Sequence, residues 1–346
     1  GRIWQHCTAA AVRTVDVGDV DGDGETDIVA GCDDHRIYLL DRRGRLKWTF
    51  NCKPSQGSTD GPPAVDWVTI TDLEGDGSKE IVAGANWVHV LSPDGGLRWE
   101  RYMDLRRGRI CGDFSCGAVA DVDGDGIKEI AALFVTSYPL LQVLDAQGDM
   151  AVPVGTGKGH RGVNIGVPVA TAVLELDPDS RQQQIVCATE SDLRMAWHDH
   201  RQREDMQGRL AKPCVAMASK QNGPANAPLL VVATPLCEVI AATAKASLGE
   251  RQIRTTQLWR RNVGEKVTCL HVPDATASGV AAAVAVGTKT GSIVLLDAGT
   301  GVPRGHVRLH GASVAAIVGA GVPGQMMAGL ADGTVVVFRA PGERRP

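Results

Sequence analysis

One segment occurs three times, and it constrains this chain more than any other feature. Asp19-Val-Asp-Gly-Asp-Gly-Glu-Thr-Asp-Ile-Val-Ala-Gly31 is followed by Asp72-Leu-Glu-Gly-Asp-Gly-Ser-Lys-Glu-Ile-Val-Ala-Gly84 and by Asp121-Val-Asp-Gly-Asp-Gly-Ile-Lys-Glu-Ile-Ala-Ala-Leu133. Their first aspartates are 53 and then 49 residues apart. A short alternating run precedes each, as at residues 14–17 and 67–70. After each comes a second apolar run, then a third ending in an Asp/Gly turn at residues 37–41, 88–92 and 141–145. A fourth run closes the repeat and carries Trp48 in the first and Trp99 in the second.

Four short strands in a period of about 50 residues is the arithmetic of a β-propeller blade. Neither the 3.5-residue spacing of a coiled coil nor the amphipathic helices of a βαβ fold occurs. Composition agrees: 41 glycines and a hydrophobic fraction of 43% with only 4% aromatics describe short Val/Ile/Ala strands punctuated by turns. The period continues after the acidic segments fade, and it predicts blades at about 14–52, 64–103, 116–155, 167–210, 213–261, 266–309 and 312–339. The fifth is irregular, with a late Gln257-Leu-Trp259, and the last lacks a fourth strand. Residues 2–7 supply it, because Arg2-Ile3-Trp4 matches Leu46-Lys-Trp48. The expectation is one all-β domain over residues 1–346. It is a seven-bladed propeller of four-stranded blades, its ring closed by the N-terminal strand so that no edge is left unpaired.

The acidic segments place carboxylates at loop positions 1, 3, 5 and 9, with a backbone carbonyl at position 7 able to join them. Hard divalent cations favour such oxygen cages, and Ca2+ tolerates the loose geometry of a loop. The three ligand sets are Asp19, Asp21, Asp23 and Asp27; Asp72, Glu74, Asp76 and Glu80; and Asp121, Asp123, Asp125 and Glu129, with carbonyls from Glu25, Ser78 and Ile127. About three Ca2+ ions per chain are therefore expected, with Mg2+ as a substitute. An EF-hand fails as a rival, since the position that needs a bidentate Glu holds Ala30, Ala83 and Ala132 and no helices flank the loop. In the fourth repeat Glu175, Asp177 and Asp179 keep the alternation, but Pro178 and a longer spacing before Ile185 mark a decayed site.

With their Ile-Val-Ala-Gly continuation, these loops resemble the FG-GAP/VCBS repeats of integrin-alpha-type propellers over roughly residues 14–150. The third-to-fourth strand turns, as in Leu40-Asp-Arg-Arg-Gly-Arg-Leu-Lys-Trp48, resemble the quinoprotein-type repeat, which marks blades of the C-terminal half as well. The first resemblance implies structural calcium on one face of the ring and recognition on the other. Glu at position 9 in two loops, and the lack of a Phe-Gly…Gly-Ala-Pro signature, depart from the family pattern.

Three long inter-blade connections, residues 51–63, 104–115 and 155–166, concentrate cations: Lys53; Arg106, Arg107 and Arg109; Lys158, His160 and Arg161. Long loops on a rigid scaffold commonly carry binding functions. On a chain of net charge −4 this basic rim predicts a protein, an acidic peptide or another anionic ligand as partner, and does not point to nucleic acid. Residues 155–162 lack the Gly-Lys-Ser/Thr ending of a phosphate loop, and His198 with His200 has no identifiable third metal ligand. Trp4, Trp48, Trp99 and Trp259 recur at one repeat position and read as packing residues.

A calcium-stabilised interaction or ligand-sensing module, one domain of a larger protein, is the leading functional expectation, and it is not an enzyme. The competing class is a propeller enzyme, either a calcium-dependent polysaccharide lyase or a quinone-dependent dehydrogenase. No catalytic motif and no vicinal Cys pair supports it. No apolar run reaches the length of a membrane span. The opening Gly1-Arg2-Ile3-Trp4 has no initiator Met and no signal peptide, as a processed or excised fragment would. Nine scattered cysteines, odd in number, favour a reducing cytoplasm, whereas calcium loops suit an extracellular or periplasmic setting.

Overall fold

The computed structural model describes residues 2–52, 64–102, 113–135, 140–149, 163–164, 168–176, 183–189, 193–199, 202–208, 214–221, 227–247, 252–273, 283–309, 311–322 and 324–339. These residues form strands and turns without a helix. No helix among them is long and apolar enough to cross a membrane.

The chain opens on β1 (Arg2–Cys7). The strands β2 (Val12–Gly18), β3 (Asp27–Cys32), β4 (Arg36–Leu40) and β5 (Leu46–Asn51) then form an antiparallel sheet. A second comprises β6 (Trp67–Thr71), β7 (Glu80–Gly84), β8 (Trp87–Leu91) and β9 (Leu97–Tyr102). The third holds β10 (Asp113–Ala120), β11 (Glu129–Val135), β12 (Leu140–Leu144) and the two-residue β13 (Val163–Asn164), so it reaches past the boundary at 155 that the repeat predicts. Next come β14 (Pro168–Leu174), β15 (Gln184–Thr189), β16 (Leu193–Asp199) and β17 (Gln202–Gly208). They share an eight-stranded sheet with β18 (Ala216–Lys220), β19 (Leu229–Ala233), β20 (Glu238–Ser247) and β21 (Gln252–Asn262). After it, β22 (Val267–His271), β23 (Ala283–Thr288), β24 (Ser292–Asp297) and β25 (Pro303–Arg308) form a sheet. The last contains β26 (Val314–Gly319), β27 (Gln325–Leu330) and β28 (Thr334–Arg339), with β1 hydrogen-bonded to β28 as its outer strand.

The architecture is an all-β propeller, but it has six hydrogen-bonded sheets where seven separate blades were expected. The physical reason lies in the irregular fifth repeat. Its two outer strands, β20 and β21, run for 10 and 11 residues. Their extended hairpin brings β21 alongside β17, and the two join in parallel through the single pair Gln207↔Gln252. An exposed strand edge offers unpaired N–H and C=O groups, and here one such edge meets another. The same hairpin length makes Trp259 arrive late in the sequence, since the one-residue shift before it between Ala241 and Ala242 also precedes Trp48 and Trp99.

Burial follows strand position. Second strands such as β3 and β7 are buried along their whole length, between neighbouring sheets on both faces, which is why they read as unbroken apolar runs. Outer strands β1, β5 and β25 alternate exposed and half-buried residues, as one-sided strands do. Hydrophobic clusters fill the spaces between consecutive sheets: one unites Val29 and Leu39 of the first with Val68 and Ile81 of the second. Another joins Val15 and Ile28 of the first sheet to Met327 and Val337 of the last.

The recurring tryptophans fasten four of the sheets to the next one. Trp4 Nε1 donates to Arg42 O at 2.9 Å, Trp48 to Pro93 O at 2.9 Å, Trp99 to Ala146 O at 2.9 Å and Trp259 to Ala298 O at 2.8 Å. Each indole lies on the glycine of the turn it reaches; a Cβ at Gly44 would sit 2.7 Å from the Trp4 ring. The packing role expected for these residues is what they perform. The described cysteines are free thiols.

Candidate functional site

The three acidic segments are the loops joining β2 to β3, β6 to β7 and β10 to β11. Position 1 holds each loop in shape. Asp19 accepts from the Gly22 and Gly24 amides at 2.8 and 2.9 Å, Asp72 from Asp76 and Gly77 at 3.1 and 3.0 Å, and Asp121 from Gly124 and Gly126 at 2.6 and 3.0 Å. The backbone must turn left-handed to present those amides, and Gly24, Gly77 and Gly126 do so with φ of 82°, 90° and 93°. Position 5 caps the next turn, with Asp23, Asp76 and Asp125 accepting from Glu25, Ser78 and Ile127 at 2.7, 2.8 and 2.8 Å.

Position 9 is the first residue of the second strand and lies buried beneath the loop: Asp27 and Glu80 are 1% exposed and Glu129 6%. One oxygen of the glutamates clasps the loop from below, Glu80 Oε2 accepting from Leu73 N at 3.0 Å and Glu129 Oε2 from Val122 N at 2.9 Å. The decayed fourth repeat preserves this clasp with a neutral group, since Gln184 Oε1 accepts from Leu176 N at 2.5 Å. Sequence reasoning missed Gln184, although its alignment with Asp27, Glu80 and Glu129 before an apolar strand was the available signal. Of that repeat's own carboxylates, Asp177 and Asp179 lie outside the described residues.

The loops part company over charge. In the first, Lys47 on β5 places Nζ 2.8 Å from Asp21 Oδ2 and 2.6 Å from Asp27 Oδ1. In the second, Arg98 on β9 places Nη2 3.0 Å from Glu74 Oε2 while its Nη1 donates to Glu80 Oε1. Both cations thus bridge loop positions 3 and 9. In the third, the ligand atoms of Asp121, Asp123 and Glu129 lie within 4.8 Å of one another, and among the described residues no cation bonds Glu129. Asp19, Asp21 and Asp23 also gather within that distance, but Asp21 is one of the two carboxylates that Lys47 holds.

Electrostatics follow these contacts, and burial raises position 9 in all three loops. The hydrogen bond from Lys47 holds Asp21 below the usual aspartate range. Burial pushes Asp27 up despite the same ammonium, because Asp27 is far less solvated. Burial opposes the charge on Lys47, yet the two carboxylates outweigh it and keep the ammonium above its ordinary value. Arg98 is held up by its bond to Glu74 first, and Glu80 is pushed up by burial. Glu129 is pushed up to about 7, by burial first and then, against the Val122 amide, by the charges of Asp123, Asp125 and Asp121.

For a divalent ion the fit is therefore unequal. In the third loop the ligand atoms of Asp121, Asp123 and Glu129 already lie together. The first two loops do not suit an ion, because an ammonium or guanidinium already lies against the oxygens it would need.

The basic rim expected to bind a partner, Lys53, Arg106, Arg107, Arg109, Lys158, His160 and Arg161, lies outside the described residues. Among the described residues there is a cleft of about 580 Å³ between the last sheet and the first loop, lined by Ile3, Trp4, Glu25, Arg42, Val322 and Met327. Arg42 and Glu25 form an ion pair at its wall.

Residues 19–83 match the family model of the FG-GAP-like repeat, which covers the first loop, β3 to β6 and the second loop. The chain matches no curated protein in sequence. In three dimensions it is similar to BBS1N in complex with ARL6DN, solved from a crystal soaked with lead, at a TM-score of 0.69 and 12% identity over 99% of this chain and 97% of that one. A mercury-soaked crystal of the same complex gives 0.68 and 12% over 99% and 96%. At that identity the likeness establishes the fold.

Proposed function

We propose that this chain is a protein-binding propeller without catalytic activity, its seven four-stranded blades closed into a ring by the pairing of β1 with β28. The count of seven rests on treating the eight-stranded sheet as two blades that touch at one residue pair. The observation that carries the functional reading is the match, over nearly the whole length of both chains, to a propeller crystallised with a protein partner. A scaffold whose sheets are fastened by buried clusters and indole hydrogen bonds changes shape little on binding, as a recognition platform requires.

The partner surface we propose is the inter-blade face carrying the basic rim, opposite the acidic loops, and the partner is a protein with an acidic surface. Calcium, with magnesium as a substitute, has a supporting role: it binds the third loop through Asp121, Asp123 and Glu129, neutralising carboxylates that otherwise repel one another.

The test is capture of interacting proteins by the intact chain and by two variants. Arg106→Glu with Arg107→Glu and Arg109→Glu reverses the rim; Ile3→Glu with Val322→Glu alters the described cleft. Loss of a reproducible partner in the first variant alone supports the reading. Loss only in the second moves the interface to the cleft. Turnover of a polysaccharide or of an alcohol with added quinone cofactor would replace the reading with an enzymatic one.

A further inference from the structure

The FG-GAP resemblance implies a metal ion in each acidic loop, and two of the three loops disagree with it. We propose that in the first and second repeats a side-chain cation from the outer strand, Lys47 or Arg98, has replaced the divalent ion, so that these loops are closed without metal.

The two cations are equivalent in the fold. Lys47 lies between Leu46 and Trp48 on β5, and Arg98 between Leu97 and Trp99 on β9. In both strands a register shift sits at this point, between Leu39/Leu40 and between Val90/Leu91 of the partner strand. The following tryptophan is fixed by its hydrogen bond to the next sheet's turn, Trp48 to Pro93 O and Trp99 to Ala146 O. Such anchoring holds the preceding residue in place, and Lys47 and Arg98 are the extra residues at these shifts, where a bulge re-aims the side chain. Lys47 and Arg98 are thereby delivered to the acidic loops of their own repeats.

Each cation contacts the same two ligand positions. Lys47 Nζ lies 2.8 Å from Asp21 and 2.6 Å from Asp27, and Arg98 bridges Glu74 and Glu80. A bound Ca2+ would lie roughly 2.3–2.6 Å from its carboxylate oxygens. The ammonium therefore fills the volume the ion would take, and two cations cannot share it without strong repulsion. The longer arms of Glu74 and the planar fork of Arg98 go together in the second loop, where Asp21 and the compact Lys47 ammonium serve the first. Position 9 is the deciding group: both carboxylates are buried, Glu80 with one oxygen on the Leu73 amide and Asp27 with none on the loop, and each meets its charge in the lysine or arginine.

Metal-stripped protein titrated with calcium alone, and separately with magnesium, tests this by binding stoichiometry. The intact chain is expected to take up at most one ion, in the third loop. Lys47→Met and Arg98→Met should each add one calcium site, and the double variant two. Lys47→Gln and Arg98→Gln repeat the experiment should the apolar variants unfold. Two or three ions bound by the intact chain would overturn the proposal, as would variants that fold and gain no site. Partner capture does not enter this measurement, so the binding reading and this one fail separately.

Discussion

The first two acidic loops and the third share a carboxylate pattern yet meet their charge in different ways. Asp27 and Glu80 each face a cation from their own outer strand, whereas among the described residues none bonds Glu129. Burial is comparable in all three, at 1%, 1% and 6% exposure. In the first two the cation is one residue on the outer strand, 20 positions after Asp27 and 18 after Glu80. A metal-loop motif therefore states which oxygens converge; it does not state which cation they receive.

The comparison can be broken most forcefully at the strand that delivers the cation. Trp48→Ala removes the indole anchoring β5 and should destabilise the chain by about 3 kcal/mol, by analogy with large-to-small changes at packed sites. Urea unfolding measures it. If position matters as described, Lys47 then loses its hold and calcium partly restores stability. Lys47→Met is next: it leaves Asp27, 2% exposed at its side chain, without its partner, at a cost of about 2–3 kcal/mol in chelator. Calcium should recover most of that loss, while leaving a Lys47→Met, Asp27→Asn variant, which buries no unpaired charge, unchanged. Glu129→Gln has the opposite profile. The amide can keep the clasp on Val122, as Gln184 clasps Leu176, so stability in chelator should move by less than about 1 kcal/mol. The rise in thermal midpoint on adding calcium should disappear.

The smallest effect concerns the turns that follow the third strands. Burial raises Asp41, but the Arg45 and Arg43 amides and the Arg45 side chain outweigh it and hold the carboxyl below its ordinary value. A depressed folded-state pKa contributes stability that is present above the unfolded value of about 3.9 and is lost as pH falls through the folded one. The second repeat has Ser92 in that place, with its hydroxyl bonded to Gly96 O at 3.0 Å. Asp41→Ser should thus flatten the acid limb of a stability–pH profile, lowering stability slightly at neutral pH and leaving it nearly unchanged well below pH about 4.

Much of this was legible in the sequence because the repeat period, the alternation of outer strands and the turn glycines all point to one fold. The pairing of β1 with β28 could be read from Arg2-Ile3-Trp4 alone, since its tryptophan matched Trp48 and Trp259. The joined sheet could not. It depends on how far β20 and β21 extend, and no residue pattern marks where a hairpin stops short of a neighbour. Convergence of carboxylates in the first and third loops was also legible. The cations were not, because Lys47 and Arg98 sit on exposed outer strands, where a charged residue is the ordinary occupant. Only their approach across the sheet shows that they belong to the loops.

The most direct measurement is a crystal structure grown in calcium, with the ion located by its anomalous scattering. The account predicts one peak, between Asp121, Asp123 and Glu129, with Lys47 Nζ still between Asp21 and Asp27 and Arg98 still on Glu74 and Glu80. Peaks in all three loops, with Lys47 and Arg98 swung out to solvent, would contradict it.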